Sequence, residues 1–290
     1  MKNFLDISSQ YSDFENSKAV VISFPFEKST TFGKGTKFGP KAIISASGQV
    51  ELFDEELERE AYKEIGVATL PQIMPGKTKA KLFDPLVKKV GEVVSKGKFP
   101  IILGGEHTIS IGGVLGVAES YKTFSVLHFD AHADLRDSYE GNKFSHASAM
   151  RRVLEIQNVK NLVSVGIRNI SNEKSEGSEF DFYKKNQNKI KIFWAKDKEK
   201  WNLDELLYTL DENVYLTFDV DAFDPSIMPS TGTPEPGGLG WYETLKIIRK
   251  VASQKKIIGA DIVELCPIPG LIAPDFLAAK LAYKIINYVL

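Results

Sequence analysis

The stretch Phe124-Ser125-Val126-Leu127-His128-Phe129-Asp130-Ala131-His132-Ala133-Asp134 joins a mostly apolar run to three acidic or imidazole side chains at alternate positions. Such a run is typical of a buried strand, and alternate residues of an extended chain point to one face. A second stretch, Asp219-Val220-Asp221, follows the apolar run Val214–Phe218 in the same way. Two carboxylates about 4 Å apart repel each other by about 4 kcal/mol at an effective dielectric near 20. The two stretches together therefore predict a site for bound cations.

Further apolar runs, rich in Val and Ile, alternate with amphipathic segments on both sides of these stretches. We predict strands over Ala19–Phe24, Ile65–Leu70, Phe99–Leu103, Phe124–Phe129, Leu162–Ile167, Ile190–Trp194, Val214–Phe218 and Ile257–Val263. We predict helices from Pro40 to about Ser47 and over Lys79–Lys96, Ile109–Ser120, His146–Ile156, Leu203–Asp211, Tyr242–Ser253 and Pro274–Tyr288. This alternation predicts an α/β fold in which helices cover both faces of a parallel sheet.

The length and the loops bear on domain organisation. The 290 residues fit one large domain or two small ones. No clear linker divides the sequence, so we predict one domain over residues 1–290. The polar stretch Asn169–Lys189 is predicted to be a mobile loop, and Asp224–Gly240 is the other long loop.

The composition predicts a cytoplasmic protein. A formal net charge of -1 gives no electrostatic basis for binding nucleic acid or an anionic membrane. Cys266 is the one cysteine, so no internal disulfide can form, which suits a reducing compartment. The N-terminal segment has no apolar core of signal-peptide length, and no apolar run is long enough to span a membrane.

Acidic and imidazole residues follow four of the predicted strands, where open α/β sheets bind their ligands. The candidate metal ligands are His107, Asp130, His132, Asp134, Asp219 and Asp221. Two imidazoles and four carboxylates suit Mn²⁺ among common metals, with other divalent ions as alternatives. Six side chains exceed what one catalytic ion needs, so we predict two ions that share carboxylates.

His146 and Glu264 each allow two interpretations on sequence alone. His146 begins a helical pattern, where it is either a capping residue or a proton shuttle that titrates near neutrality. Glu264 follows the last predicted strand, where it is either a solvated turn acid or the partner of a cationic substrate.

Four other polar positions are given structural roles. We predict that His128 is a buried, hydrogen-bonded histidine, and that Asp224 and Pro225 form a turn. Arg151 and Arg152 are predicted to lie on a solvated helix face.

These residues occur in motifs that resemble those of the ureohydrolase family, which includes arginases, agmatinases and formiminoglutamases. The similar stretches are Phe38–Ile43, Gly104–Thr108, Phe129–Asp134, Ser145–Ala147, Gly166–Arg168, Phe218–Pro225 and Thr231–Pro234. The resemblance runs from about Phe24 to the C-terminal helix, and it is specific because many motifs combine.

The resemblance implies a three-layer α/β/α fold with a mainly parallel sheet of about eight strands, a two-manganese site, and trimers or hexamers. One ion would be held by His107, Asp130, Asp134 and Asp219, and the other by Asp130, His132, Asp219 and Asp221. His146 matches the family's proton-shuttling histidine and Glu264 the acid that binds the guanidinium.

The implied reaction cleaves a small cationic guanidino substrate into urea and an amine. A hydroxide bridging the two ions would attack the guanidinium carbon. Asp134 would hydrogen-bond this nucleophile, and His146 would deliver a proton to the departing amine. A catalytically silent binding or regulatory paralogue is the alternative of another class. The presence of all six ligand residues, His146 and Glu264 argues against it.

The segment Leu135–Ser145 resembles agmatinases and lacks the Ser/Thr/Asn-rich pattern with which arginases read an α-amino acid. We therefore expect agmatine as the substrate and putrescine as the product. Asp137 or Glu140 would bind the free ammonium of agmatine, whereas Arg136 or Lys143 would instead bind a carboxylate, such as that of guanidinobutyrate. Arginine and formiminoglutamate remain alternatives.

Overall fold

The computed structural model describes residues 2–78, 81–175 and 177–290, and its strands form one eight-stranded sheet in which all pairs are parallel. The strands are β1 (Ala19–Phe24), β2 (Val67–Thr69), β3 (Phe99–Gly104), β4 (Phe124–Phe129), β5 (Val159–Ile167), β6 (Ile190–Trp194), β7 (Asn213–Asp219) and β8 (Lys256–Val263). Each predicted strand is present, and the prediction of a parallel α/β fold is confirmed.

Helices cover the sheet on both faces, because apolar side chains project from each strand in both directions. The helices are α1 (Ser9–Ser12), α2 (Gly39–Ser47), α3 (Ala61–Ile65), α4 (Asp84–Ser95), α5 (Ser110–Ala118), α6 (Ala149–Val153), α7 (Glu179–Lys185), α8 (Leu203–Thr209), α9 (Trp241–Ala252) and α10 (Ala273–Val289). The predicted helix Lys79–Lys96 corresponds to α4, which has a proline in its first turn; Lys79 and Ala80 lie outside the described residues.

The segment Asn169–Lys189 differs from the predicted mobile loop, because it contains α7 and is anchored by a buried acid. Ser178 caps α7 by accepting a hydrogen bond from the backbone N–H of Asp181. The Glu179 side chain accepts hydrogen bonds from the backbone N–H groups of Leu135 and Ser171, at 2.8 and 2.6 Å. These contacts connect two loops that the sequence pattern treats as separate.

The prediction that Arg151 and Arg152 lie on a solvated helix face is wrong. Arg152 is buried and donates a hydrogen bond to Asp137 over 2.9 Å. Arg151 places its guanidinium over the ring of Phe182, 3.4 Å from the ring centroid. Both cations are thus partnered, Arg152 by the loop that precedes α6 and Arg151 by α7.

The strand order β2-β1-β3-β8-β7-β4-β5-β6 positions the candidate site. The four central neighbours, β3, β8, β7 and β4, are the strands that carry the candidate residues at their carboxyl ends. In a parallel sheet these ends all lie on one edge, so residues far apart in sequence are brought together there. Among the described residues no helix has the length and apolar character required to cross a membrane.

Candidate active site

His107 lies at the centre of a cluster of carboxylates at this edge. Its Nδ1 atom is 3.0 Å from Asp130 Oδ2, 3.2 Å from Asp134 Oδ2 and 3.4 Å from Asp219 Oδ2. All four side chains are buried. The 3₁₀ turn His107–Ile109, which follows β3, directs the imidazole toward the ends of β4 and β7.

Three of the carboxylates are anchored through one oxygen to backbone N–H groups. Asp130 Oδ1 accepts from the N–H of His132 at 2.6 Å, and Asp219 Oδ1 from that of Asp221 at 2.9 Å. Asp221 Oδ1 accepts from the N–H of Ala131 at 2.9 Å, which links the β4 and β7 loops. The Oδ2 atom of each of these aspartates lies within 3.4 Å of an imidazole nitrogen.

The aspartates converge through turns, whereas the sequence pattern predicted an extended chain. Asp219 is the last residue of β7, and Asp221 lies in the 3₁₀ turn Val220–Ala222. Asp134 has a positive φ of 54°. Such a backbone is uncommon for a residue other than glycine and costs free energy, which points to a functional constraint at this position.

The hydrogen bonds around His107 fit a metal ligand. Its Nε2 lies 2.9 Å from the Thr217 hydroxyl, which itself donates to buried Asp261 at 2.7 Å. The hydroxyl proton is thus used, so Nε2 carries a proton. Burial would lower the pKa of His107, but Asp130, Asp134 and Asp219 raise it well above its ordinary value, so a bound ion would take the place of a proton on Nδ1. Nδ1 is buried and has no hydrogen-bond partner among the described residues. An imidazole lone pair surrounded by carboxylate oxygens is the donor set that a divalent cation requires.

A second group of donors adjoins the first and shares Asp130. His132 Nδ1 is 3.0 Å from Asp221 Oδ2 and 3.5 Å from Asp130 Oδ1. Ligand atoms of Asp130, His132 and Asp221 all lie within 4.8 Å of one another, so they could hold one ion. The structure therefore brings together all six predicted ligand residues in two adjoining groups.

The pKa shifts indicate how strongly this cluster needs positive charge. Burial and the neighbouring charges of Asp221 and Asp130 raise the pKa of Asp219 well above its ordinary value. Burial and the charge of Asp130 raise the pKa of Asp134 from 3.8 to about 7. Burial would lower the pKa of His132, but Asp221 and Asp130 raise it to about 12. The raised pKa values mean that these side chains hold protons, which reduce the repulsion between the carboxylates. Bound metal ions would reduce the same repulsion between the carboxylates.

His128 supports the cluster as the buried, hydrogen-bonded histidine that the sequence predicted. Its Nε2 is 2.7 Å from Asp130 Oδ2 and its Nδ1 is 3.0 Å from the hydroxyl of Ser164. Both nitrogens are therefore in hydrogen bonds.

The predicted turn at Asp224 is also confirmed, since its carboxylate accepts from the backbone N–H groups of Ser226, Gly237 and Gly238.

A pocket lies over the cluster, and both remaining candidate residues line it. Glu264 is buried at the end of β8, has a φ of 64°, and accepts a hydrogen bond from the backbone N–H of His107 at 2.6 Å. Burial and the charge of Glu106 raise the pKa of Glu264 well above its ordinary value. Burial lowers the pKa of His146 below 6.5, so its neutral form predominates near pH 7.

The loop after Asp134 holds Asp137 and Glu140, the two acids proposed above to bind the ammonium of agmatine, away from the pocket. Asp137 forms ion pairs with Arg152 at 2.9 Å and with Lys143 at 3.7 Å, and Glu140 lies exposed on a turn. Neither acid is among the described residues that line the pocket, whereas Arg136 is. The structure therefore does not support the predicted ammonium sites: Arg152 of α6 pairs with Asp137, and neither Asp137 nor Glu140 lines the pocket.

Sequence reasoning missed residues that complete the walls of the pocket. Two groups of pocket-lining residues come from the loop after β1 and from the loop after β7: Thr30, Thr31, Phe32 and Gly33, and Thr231, Gly232 and Thr233. The two loops touch where the N–H of Gly33 donates to the carbonyl of Gly232 over 3.2 Å. The stretch Thr231–Pro234 belongs to the motifs noted above, but no periodicity marks the loop after β1.

Comparisons with known proteins agree with the fold. A family profile described as the Arginase family matches residues 17–287. The N(1)-aminopropylagmatine ureohydrolase of Synechocystis is 38% identical over 99% of this chain and 94% of that protein. The agmatinase of Halalkalibacterium halodurans is 35% identical over 88% of this chain and 86% of that protein. The crystal structure of the agmatine ureohydrolase of Thermoplasma volcanium superposes with a TM-score of 0.84 at 30% identity, covering 100% of this chain and 94% of that one.

The parallel sheet and the carboxylate–imidazole cluster at its carboxyl edge thus occur in a chain that matches one family along nearly its whole length. The chain belongs to the arginase family. Within that family it is a ureohydrolase of the arginase and agmatinase type.

Proposed function

We propose that this protein hydrolyses the guanidinium group of agmatine, or of agmatine extended by an N1-aminopropyl group, to urea and a polyamine. The observation that carries the proposal is the convergence of His107 Nδ1 with three carboxylate oxygens at 3.0–3.4 Å, beneath a pocket lined by His146 and Glu264. Two relatives are named for agmatine or aminopropylagmatine, whose far ends are amines, and these names support the choice of substrate class.

Two divalent ions, with Mn²⁺ as our proposal, fit the donor set. His107, Asp130, Asp134 and Asp219 would hold one, and Asp130, His132, Asp219 and Asp221 the other. When bound, the ions would supply Lewis-acid chemistry: they would lower the pKa of a water molecule so that it can attack the guanidinium carbon, and they would stabilise the oxygen that it adds there.

The remaining steps belong to the side chains of the chain itself. Glu264 would accept hydrogen bonds from the guanidinium and hold its carbon over the cluster. Asp134, whose Oδ2 faces the cluster, would accept a hydrogen bond from the attacking water. His146 would carry a proton to the amine nitrogen as the carbon–nitrogen bond breaks, which neutralises the leaving group.

The two amine-ended substrates present the same reacting group and differ only at the far end. Both carry a guanidinium on a four-carbon chain, so they make the same demands on Glu264 and His146. The aminopropyl extension adds a second ammonium that would lie at the mouth of the pocket. Cleavage gives putrescine from agmatine and spermidine from the extended substrate.

Guanidinobutyrate is a second candidate substrate, favoured by one observation. Arg136 lines the pocket, with its guanidinium 4.8 Å from the centroid of the Tyr139 ring. An arginine in the pocket wall can pair with a carboxylate at the far end of a substrate. If this candidate is right, Arg136→Met will abolish guanidinobutyrate turnover while leaving agmatine turnover largely intact.

A substrate panel tests the proposal. Protein stripped by chelation and reloaded with Mn²⁺ would be assayed for product release from agmatine, N1-aminopropylagmatine, guanidinobutyrate, arginine and formiminoglutamate. Asp219→Asn protein, purified in parallel, controls for a contaminating enzyme. We expect an amine-ended substrate to exceed arginine by at least roughly 10²-fold in kcat/KM, about 2.7 kcal/mol of transition-state discrimination.

Two outcomes of the panel would contradict the proposal. Arginine as the best substrate would show that the loop Leu135–Ser145 does not exclude an α-amino acid. Full activity in the chelated protein would show that the carboxylate cluster has another role.

The proposed trimer or hexamer is a separate prediction, which a measurement of molecular mass in solution would test.

A further inference from the structure

The Ser29 hydroxyl lies between the candidate proton shuttle and a buried carboxylate. Ser29 Oγ is 2.7 Å from Glu106 Oε1 and 3.2 Å from His146 Nδ1. It also accepts a hydrogen bond from the backbone N–H of His146 over 2.9 Å. Ser29 lies in the loop after β1. Glu106 follows β3, and His146 lies at the end of the loop that follows β4.

The protons in this arrangement can be assigned one by one. Glu106 is fully buried, and its carboxylate accepts from the N–H groups of Lys28 and Ser29 and from the hydroxyls of Ser29 and Thr108. The single Ser29 proton is thus directed at Glu106. The Ser29 oxygen can only accept from His146, so His146 Nδ1 carries the proton.

We propose that Ser29 is a positioning residue that holds His146 as the Nδ1–H tautomer and so presents Nε2 to the substrate. This inference rests on the proposed function, because it assigns a role to His146 in the same reaction. In free histidine the proton favours Nε2, which would leave no lone pair there. With Nδ1 tied to Ser29, Nε2 can take up a proton and pass it to the leaving amine.

The neighbours of the ring keep this geometry. The Tyr139 ring packs edge-on against His146, with centroids 5.6 Å apart. The backbone hydrogen bond from His146 to Ser29 closes a small ring of contacts around the same hydroxyl. The imidazole therefore has one hydrogen-bonded edge and one edge toward the pocket, and it keeps the Ser29 contact in both of its protonation states.

Steady-state kinetics on metal-loaded enzyme test the proposal. Ser29→Ala should lower kcat by about 10-fold while changing KM by less than about two-fold, because ground-state binding of substrate does not use this hydroxyl. Ser29→Thr keeps a hydroxyl and should recover most of kcat. In a His146→Ala background, Ser29→Ala should have less than about two-fold further effect, since both act through one imidazole.

Ser148→Ala is a matched control, because Ser148 is a buried serine that lies two residues from His146 and hydrogen-bonds Ser145 instead. It should leave kcat near that of the wild type. An equal loss from Ser29→Ala in both the His146 and His146→Ala backgrounds would overturn the proposal. Loss of bound metal from the Ser29→Ala protein would overturn it as well.

A spectroscopic readout separates failure of this inference from failure of the proposed function. The chain has four histidines, so ¹⁵N-edited spectra of the imidazoles can be assigned with a His146→Asn variant. In protein loaded with diamagnetic Mg²⁺, His146 should show a protonated Nδ1, and Ser29→Ala should shift it toward the Nε2–H form. A wild-type His146 protonated on Nε2 alone would refute the inference, whichever substrate the enzyme uses.

Discussion

At the scale of single residues, the candidate metal centre is built from aspartates that use their two oxygens differently. One oxygen of Asp130, Asp219 and Asp221 is held by a backbone N–H group, and the other faces an imidazole. A backbone hydrogen bond orients the carboxylate before any ion binds, and such preorganisation strengthens metal binding. We therefore expect loss of either oxygen to weaken the proposed binding of metal.

The proposed bridging role of Asp130 and Asp219 can be tested by replacing one carboxylate oxygen of each with an amide nitrogen. Asp130→Asn and Asp219→Asn should each lower the content of both bound ions, because each side chain is proposed to touch both. Metal analysis after dialysis is the measurement, and Asp204→Asn, at a solvent-exposed ion pair with Lys250, is the control. Two intact metal sites in Asp130→Asn would show that this residue is not a bridge.

His146 should behave differently from the ligands when it is truncated. No carboxylate of the cluster is in its described hydrogen bonds, which go to Ser29. We expect His146→Ala to lose about 10²-fold in kcat while retaining its metal, the lower end for a general acid because water can substitute. Joint measurement of turnover and metal content decides the matter, and an empty site in this variant would make His146 a ligand.

At the scale of secondary-structure elements, Gly105 joins the ends of three strands. The N–H of Glu106 donates to the carbonyl of Phe26 beyond β1, and the N–H of Glu264 beyond β8 donates to the carbonyl of Gly105, both at 2.8 Å. A Cβ atom at Gly105 would lie 2.0 Å from the backbone oxygen of Phe26. A side chain at this position would therefore force the backbone to move. The junction thus depends on a residue without a side chain.

We expect Gly105→Ala to lower the free energy of unfolding by about 1–3 kcal/mol, the usual cost of overpacking. It should also lower activity, because Glu264 and His107 flank the displaced backbone. Denaturant unfolding measures the first effect. Gly240→Ala is the control, since its nearest contact would be the flexible end of Glu243 at 3.3 Å. Wild-type stability in Gly105→Ala would mean that β1 and β3 can separate freely.

At the scale of the whole molecule, the charge cluster links stability to pH and to metal. In the metal-free fold the pKa of Asp134 is raised from 3.8 to about 7 by burial and by Asp130, and that of Asp219 is raised in the same direction. The folded state then holds protons that the unfolded chain has lost. The contribution of these two groups to the free energy of unfolding is therefore fully present below about pH 4. It declines as the pH rises toward 7, because the folded state then has to lose the protons that it holds.

Metal ions should replace those protons and remove the penalty. We expect the rise in Tm on adding Mn²⁺ to be larger at about pH 8 than at about pH 5, because protons no longer compete for the ligands. Thermal unfolding with and without Mn²⁺, against KCl of equal ionic strength, measures this difference. A Tm gain that is larger at the lower pH would contradict the linkage.

The sequence by itself determined the types of element and most of the candidate chemistry. Runs such as Phe124–Phe129 and Ala19–Phe24 form strands with the predicted bounds, since apolar periodicity is a local property of the chain. The residue types and their positions after the strands were also readable, because a strand end is a local feature. The sequence pattern predicted that these residues converge, but it gave the wrong reason. A turn places Asp221 in the site, whereas the pattern predicted an extended chain.

Only the tertiary structure decided which strand ends are neighbours and which side chains support the site. The order β3-β8-β7-β4 brings together His107, Glu264, Asp219 and Asp130, and strand order depends on long-range packing that no local pattern records. The same holds for the contact of Ser29 with His146, and for the capture of Asp137 by Arg152. Each is a pair of polar groups whose separation in space is set by the path of the backbone.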